Sequence, residues 1–391
     1  MKFIPMSMPD LSGNEEKYVV QAIRSTWISS TGEFVERFEK EFADFAGTKF
    51  ALSVSNGTIA LHLALLGLDV RPGDEVLVPS LTYIATANAV RYVGAEPVFV
   101  DVDPKTWCID PAQLEAKITR RTKGIIAVHL YGYPADMDAI NAIAAVHGLW
   151  VVEDAAEAHG ARYKGQPVGS LSHVATFSFF GNKILSSGEG GALTVNDSHL
   201  YLRLKTLRGQ GMDPKRRYYF PVVGYNFRLT NIACAILCAQ LERFEELQGR
   251  RRNIFQRYRD QLNDVAGIGL RSIGGNVEPA PWLYCITIDP EISGKSRDQV
   301  MAGLEALGIE TRPFFIPLHT LPPYREEAGK RNTILPITEQ ISAAGINLPT
   351  FAQMSERDVD CVCQSLKALR RQHLGSHAIN RRKGVLVPLR G

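Results

Sequence analysis

Between Val54 and Val195, short apolar runs alternate with helical stretches, and this alternation constrains the fold more than any other feature. The segments "DEVLVPS", "PVFVDVD", "KGIIAVHLYG" and "LWVVEDAAEAHG" read as strands bounded by Gly, Pro and Asp. Unbroken apolar runs of this length suit strands buried on both faces. Around them, "TIALHLALLGL", "YIATANAVRYVG" and "DMDAINAIAAVHG" read as helices. Strands separated by helices form a mostly parallel α/β sheet flanked by helices. After Asn196 the pattern changes. Helical stretches dominate from about Thr230 to Leu262, and the Gly/Pro-rich "RSIGGNVEPAPW" follows. Then "LYCITID" and "GIETRPFF" read as strands around a helix, "SRDQVMAGLEALG". The expected division is a large domain over residues 1–245 and a smaller α+β domain over 246–391.

Ligands of parallel α/β sheets bind beyond the carboxyl ends of the strands. Three stretches there carry chemistry. In "SVSNGTIALHL" a strand ends at Ser55, and a helix opens at Gly57 and Thr58. Free N–H groups and the helix dipole at such a start attract an anion, although alone the stretch reads as a plain N-cap. In "VVEDAAEAHG", Asp154 ends a strand and can serve as a metal ligand, a base, the partner of a cationic ring nitrogen, or a simple helix cap. His159 is as well explained by a structural hydrogen bond as by a functional role. In "ATFSFFGNKILSSGEGG", Lys183 follows an aromatic strand and precedes a glycine cluster. Most lysines are solvated. An apolar wall of Phe177, Phe179 and Phe180 would instead desolvate this amine, lower its pKa and make it a nucleophile. Ser178 and Asn182 add hydrogen-bonding groups.

Other readings fall away. A net charge of +3 in 391 residues excludes a dedicated nucleic-acid binder. The basic run Gly249–Asn253 reads as a solvated helix face, and that at Asn380–Gly384 as a loose tail. "GKS" at Gly294–Ser296 lacks the upstream glycine of a phosphate loop. The six cysteines complete no metal pattern and read as reduced packing residues, so no metal is expected. "MKFIPMSMPD" has no apolar core, and no run reaches the roughly 20 residues of a membrane helix. The expectation is a cytoplasmic protein without membrane or nucleic-acid partners.

An anion-binding helix start, a strand-end aspartate and a desolvated lysine together match the needs of pyridoxal 5′-phosphate (PLP). Its phosphate needs N–H donors, its ring nitrogen a carboxylate and its aldehyde a lysine. Tyr83, in "PSLTYIATAN", offers an aromatic face for the ring.

With "EDAAEAHG" followed by "FSFFGNKILSSGEGG", the chain resembles the PLP-dependent sugar-nucleotide aminotransferases (DegT-type, aspartate aminotransferase-like, PLP fold type I). The likeness runs from "STWISSTGEF" through "GYNFRLTNI" to "TRPFFIPLH". It implies that Lys183 holds PLP covalently and shuttles protons, that Asp154 pairs with the ring nitrogen, and that Glu157 and His159 lie near the ring. It further implies that Tyr83 stacks on the ring, and that Gly57, Thr58 and Ser178 bind the phosphate with Asn226 of the neighbouring subunit in a homodimer. Substrate contacts are expected at Trp27, Ser29, Arg228, Arg312, Phe314 and His319. The expected reaction moves an amino group from L-glutamate to C4 of a nucleotide-linked 4-keto-6-deoxy sugar, with GDP-4-keto-6-deoxymannose as acceptor. Alternatives are a dTDP- or UDP-linked ketosugar, a sugar dehydratase on the same fold, or a non-catalytic regulator. Dehydrating relatives carry histidine at the lysine position, and a regulator could dispense with Lys183 and Asp154; both stand here.

Overall fold

The computed structural model describes residues 3–381, with side chains as far as residue 369. The basic run at 380–384 and the tail from Gly375 therefore lie outside the described side chains. A seven-stranded sheet organises the first half. Its strands are β1 (Phe50–Val54), β2 (Glu75–Pro79), β3 (Glu96–Val100), β4 (Thr122–Val128), β5 (Trp150–Asp154), β6 (Val174–Ser178) and β7 (Gly191–Val195). The spatial order is β1-β7-β6-β5-β4-β2-β3. Neighbours β6 to β5, β5 to β4, β4 to β2 and β2 to β3 pair in parallel; β7 alone runs antiparallel, between β1 and β6. The mostly parallel sheet expected from the alternation is thus present.

Register aligns the strand ends that matter. Gly191 pairs with Val54 on one side and Ser178 on the other, and Asp154 sits beside Val128 and Thr176. Helix 57–67 follows β1 and is capped by Asn56, whose side chain accepts from the Ile59 N–H. Its apolar residues Ala60, Leu61, Leu63, Ala64 and Leu65 are buried.

Period-2 alternation divides the aromatic run after Ala175. Phe177 and Phe179 are fully buried and meet Phe42 edge-on, at 4.9 and 5.3 Å between centroids. Phe42 belongs to the amphipathic helix 33–46. Ser178 and Phe180 point the other way, into the cavity described below. Only Phe180 of the three expected phenylalanines therefore lines the space around Lys183.

A second sheet of four short strands (268–270, 284–288, 345–348 and 312–313, in that spatial order) has its own buried cluster, including Ile286, Ile346 and Leu348. Ile4 joins that cluster from the N-terminus. Helix 244–262 connects the two cores: Phe244 packs in the first, and Ile254, Tyr258 and Leu262 pack in the second. The basic run in this helix is not uniformly solvated. Arg251 is buried, and its Nη1 donates to the carbonyls of Trp282 and Thr350 at 3.0 and 3.1 Å. The six cysteines are unpaired thiols. Among the described residues no cluster could hold a metal, and no helix is long and apolar enough to cross a membrane.

Candidate active site

A cavity of about 500 Å³ opens beyond the carboxyl ends of β1, β2, β4 and β6. Its walls include Gly57, Thr58, Tyr83, Glu157, Ser178, Lys183 and Arg312, all expected from the sequence. The start of helix 57–67 lies tightly against β6. A Cβ at Gly57 would stand 2.8 Å from Ser178 Cβ, and one at Gly191 would stand 2.5 Å from the Asn56 carbonyl. Glycine at both places lets the helix start seat against the sheet. The first N–H groups of a helix have no partner within it, so those of Gly57 and Thr58 are available to an anion beside the Ser178 hydroxyl.

Lys183 lies in the turn after β6, where its N–H donates to the Phe180 carbonyl at 2.9 Å. Its Nζ is 3.8 Å from Glu157 Oε1 and 3.9 Å from the centroid of the Trp282 indole. Burial lowers the amine's pKa, while Glu157 and Asp154 oppose that shift. Burial also raises the Glu157 carboxyl to about 7, against the pull of Lys183. Glu157 Oε2 accepts from the Tyr131 N–H at 2.7 Å. Tyr131 makes that bond from a left-handed backbone, with φ of 51°, a costly conformation for a bulky residue and one that collects at functional sites.

Asp154 is buried at the end of β5, behind the cavity wall. Its Oδ2 accepts from Thr86 Oγ1 at 2.8 Å. Burial raises its pKa, with Thr86 the first of the opposing influences. No cation among the described residues forms an ion pair with it, so a protonated ring nitrogen would supply the missing counter-charge. His159 lies between Phe177 and Phe179, and both its ring nitrogens are buried without a partner. Burial, aided by the Lys183 charge, lowers its pKa to about 3.

Other expected residues fall outside this cavity. Phe314 packs inward on Trp107 and Tyr131, and Phe315 takes its place at the wall. His319 is buried between Ser80 Oγ (2.8 Å) and Glu339 Oε1 (3.1 Å), tying residues 318–320 to the end of β2. Trp27 and Ser29 are on an exposed segment whose carbonyls accept from Asn231. Asn226 accepts from Arg228 Nη2 at 3.1 Å, and neither residue lines this cavity. The cavity adds Asn56, Tyr131, Glu189, Trp282, Phe315 and Asn347. Trp282 carried one usable signal, an aromatic placed just before a strand in "EPAPWLYC".

An amine, an anion cradle and a buried carboxylate gathered at one sheet edge fit PLP, and they define the class as PLP-dependent enzymes of the aspartate aminotransferase fold. Comparison with known proteins narrows this. The model of the DegT/DnrJ/EryC1/StrS aminotransferase family matches residues 9–367. The chain is 50% identical over 367 residues to GDP-perosamine synthase of Caulobacter vibrioides, covering 93% of this chain and 97% of that one. It is 44% identical to GDP-perosamine synthase of Escherichia coli O157:H7, covering 94% and 98%. The crystal structure of DesI in the presence of its TDP-sugar product superposes with a TM-score of 0.89 at 32% identity, covering 97% and 96%. The chain belongs to the DegT/DnrJ/EryC1/StrS aminotransferase family, as its motifs implied.

Proposed function

We propose that this protein transfers an amino group from L-glutamate to C4 of GDP-4-keto-6-deoxymannose, giving GDP-perosamine and 2-oxoglutarate. The observation that carries the reading is the buried Lys183 amine between Glu157 and Trp282, beside the helix start at Gly57. The GDP-sugar assignment rests on likeness to relatives named GDP-perosamine synthase.

PLP, when bound, supplies a carbonyl that exchanges amines and a cationic ring that draws electrons from the carbon being deprotonated. The chain's own residues do the rest. The Gly57 and Thr58 N–H groups and the Ser178 hydroxyl would hold the phosphate. Asp154 would keep the ring nitrogen protonated, and Thr86 fixes that carboxylate. Tyr83 would cover one face of the ring. Lys183 would hold the cofactor and, once released, carry the proton between the substrate's reacting carbon and the cofactor's carbonyl carbon. Glu157 favours the ammonium form of Lys183 and would face the ring's phenolic oxygen. Arg312, at the wall, suits a carboxylate or diphosphate.

A two-fold homodimer with shared sites forms part of the proposal. Tyr218, Tyr219, Phe220, Val222 and Val223 are all exposed, which suits a surface that a second copy covers. Asn226 and Arg228 follow directly and would serve the neighbouring subunit's site. The division into 1–245 and 246–391 is part of the proposal: the second buried cluster comes almost wholly from residues after 245, although Trp282, Phe314 and Tyr324 pack into the first. A cytoplasmic location agrees with nucleotide-sugar substrates. A TDP-linked acceptor is the second reading, favoured by the likeness to DesI, and a UDP-linked acceptor is the remaining alternative. Assay of GDP-, dTDP- and UDP-linked ketosugars with L-glutamate tests the choice. The GDP sugar is expected to react fastest, and a dTDP or UDP sugar turning over much faster overturns the assignment.

A further inference from the structure

Trp282 stands in a relation to Lys183 that cofactor binding alone does not explain. Its indole face meets Nζ at 3.9 Å, and three hydrogen bonds fix the residue there. Nε1 donates to the carbonyl of Asn182, the residue before the lysine, at 2.8 Å. The Trp282 N–H donates to the Ala280 carbonyl at 2.9 Å. Its own carbonyl accepts from Arg251, a guanidinium that is 2% exposed. The Tyr131 ring lies nearly parallel, at 6.2 Å and 23°. The ring is thus tied to the lysine's own turn and packed within the first core.

We propose that Trp282 is a positioning residue whose indole face docks the Lys183 ammonium whenever that amine is not bonded to the cofactor. The proposal rests on the reading of Lys183 given above. An aromatic face attracts an ammonium without accepting its proton, and the attraction strengthens where water is excluded. Glu157 and Asp154 also favour the charged amine, while burial and Arg312 oppose it. The docked amine stays within the site while substrates come and go.

Fluorinated tryptophan tests this without altering shape. The chain has four tryptophans, and Trp282 alone of them lines the Lys183 cavity. Full-length protein is made with tryptophan or 5-fluorotryptophan. It is studied PLP-free, and PLP-loaded after treatment with excess L-glutamate, conditions that leave the amine free. Acetylation of the Lys183 peptide by acetic anhydride is followed by mass spectrometry across pH. Fluorination withdraws electron density from the ring, destabilises the ammonium and lowers its pKa. Labelling at a fixed pH below the midpoint should rise about two- to fivefold. In Trp282→Phe the same fluorination should change nothing. An unchanged profile in the fluorinated wild type, or a shift that persists in Trp282→Phe, overturns the proposal. Covalent PLP attachment, read separately by absorbance, tests the underlying role of Lys183.

Discussion

Gly57→Ala probes how closely the phosphate cradle depends on contact between helix 57–67 and β6. The added Cβ would stand 2.8 Å from Ser178 Cβ and 3.2 Å from its Oγ. The first atom belongs to a strand residue hydrogen-bonded into the sheet, so the helix start must yield. Retreat to an ordinary 3.4 Å contact moves it by about 0.6 Å. Overpacking of this kind costs about 1–3 kcal/mol. Alanine returns at most about 1 kcal/mol through helix propensity, so even a full return leaves a net loss of up to roughly 2 kcal/mol. The N–H groups of residues 57 and 58 move with the helix. Spoiling one charge-assisted hydrogen bond of about 1.5–3 kcal/mol should weaken PLP binding by roughly tenfold or more. Thermal melting of the PLP-free protein and absorbance titration with PLP measure the two effects. Ser178→Gly removes both the Cβ and the Oγ, leaving the Ser178 Cα as the near neighbour at 3.4 Å. In that background Gly57→Ala should cost little stability, a coupling that a double-mutant cycle reads directly. Wild-type melting and PLP affinity in Gly57→Ala, or an equal loss with and without Ser178→Gly, would refute the argument.

Four further outcomes are expected. Lys183→Ala should lose turnover while keeping its circular dichroism and melting profile, and activity near wild type would remove the amine from its central role. Asp154→Asn should bind PLP yet slow the glutamate half-reaction by several kcal/mol of barrier, so a near-normal half-reaction by stopped-flow absorbance counts against the ring-nitrogen contact. His159 titrates near 3 in the fold because of burial, against about 6.5 in an unfolded chain. Between those values the unfolded chain binds a proton that the native state refuses, so the stability held above pH 6.5 is lost progressively as pH falls towards 3. Denaturant melts of His159→Phe should therefore show a flatter acid limb, and an identical limb argues against burial as the cause. Mixing Lys183→Ala with Asn226→Ala/Arg228→Ala should restore activity towards about a quarter of wild type if sites are shared across a random dimer. No recovery in a proven heterodimer would mean that each chain serves its own site.

Elements with a strong local signature were legible in the sequence. The buried strands of the large sheet and the helix start at Gly57 follow from apolar runs and punctuation within a few residues. Lys183 and Asp154 stand out because they lie next to those strand ends, whereas Glu157 follows from the family resemblance. Side-chain direction was harder to read. The strand at 312 stops at Pro313, so alternation does not carry on to Phe314 and Phe315, and the inward and cavity-facing residues are exchanged. The aromatic wall of Lys183 comes mainly from Trp282, about a hundred residues later, a contact that no local pattern encodes. Arg251 sits among exposed arginines, and only the packing of its helix against the Trp282 and Thr350 carbonyls distinguishes it.

The two-core arrangement also bears on how such enzymes diversify. The anion cradle, Lys183 and Asp154 lie between residues 54 and 183, whereas Trp282, Arg312, Phe315 and Asn347 approach from the later half of the chain. Helix 244–262 is the main covalent passage between the two groups. Drift or recombination downstream of that helix can reshape that wall of the pocket, but Trp282, Phe314 and Tyr324 pack into the first core, so such change stays bound to the sheet that carries Lys183. The pairing of Trp282 with the turn at Asn182 limits such exchange, because a donated second half must bring an indole that still reaches the recipient's lysine.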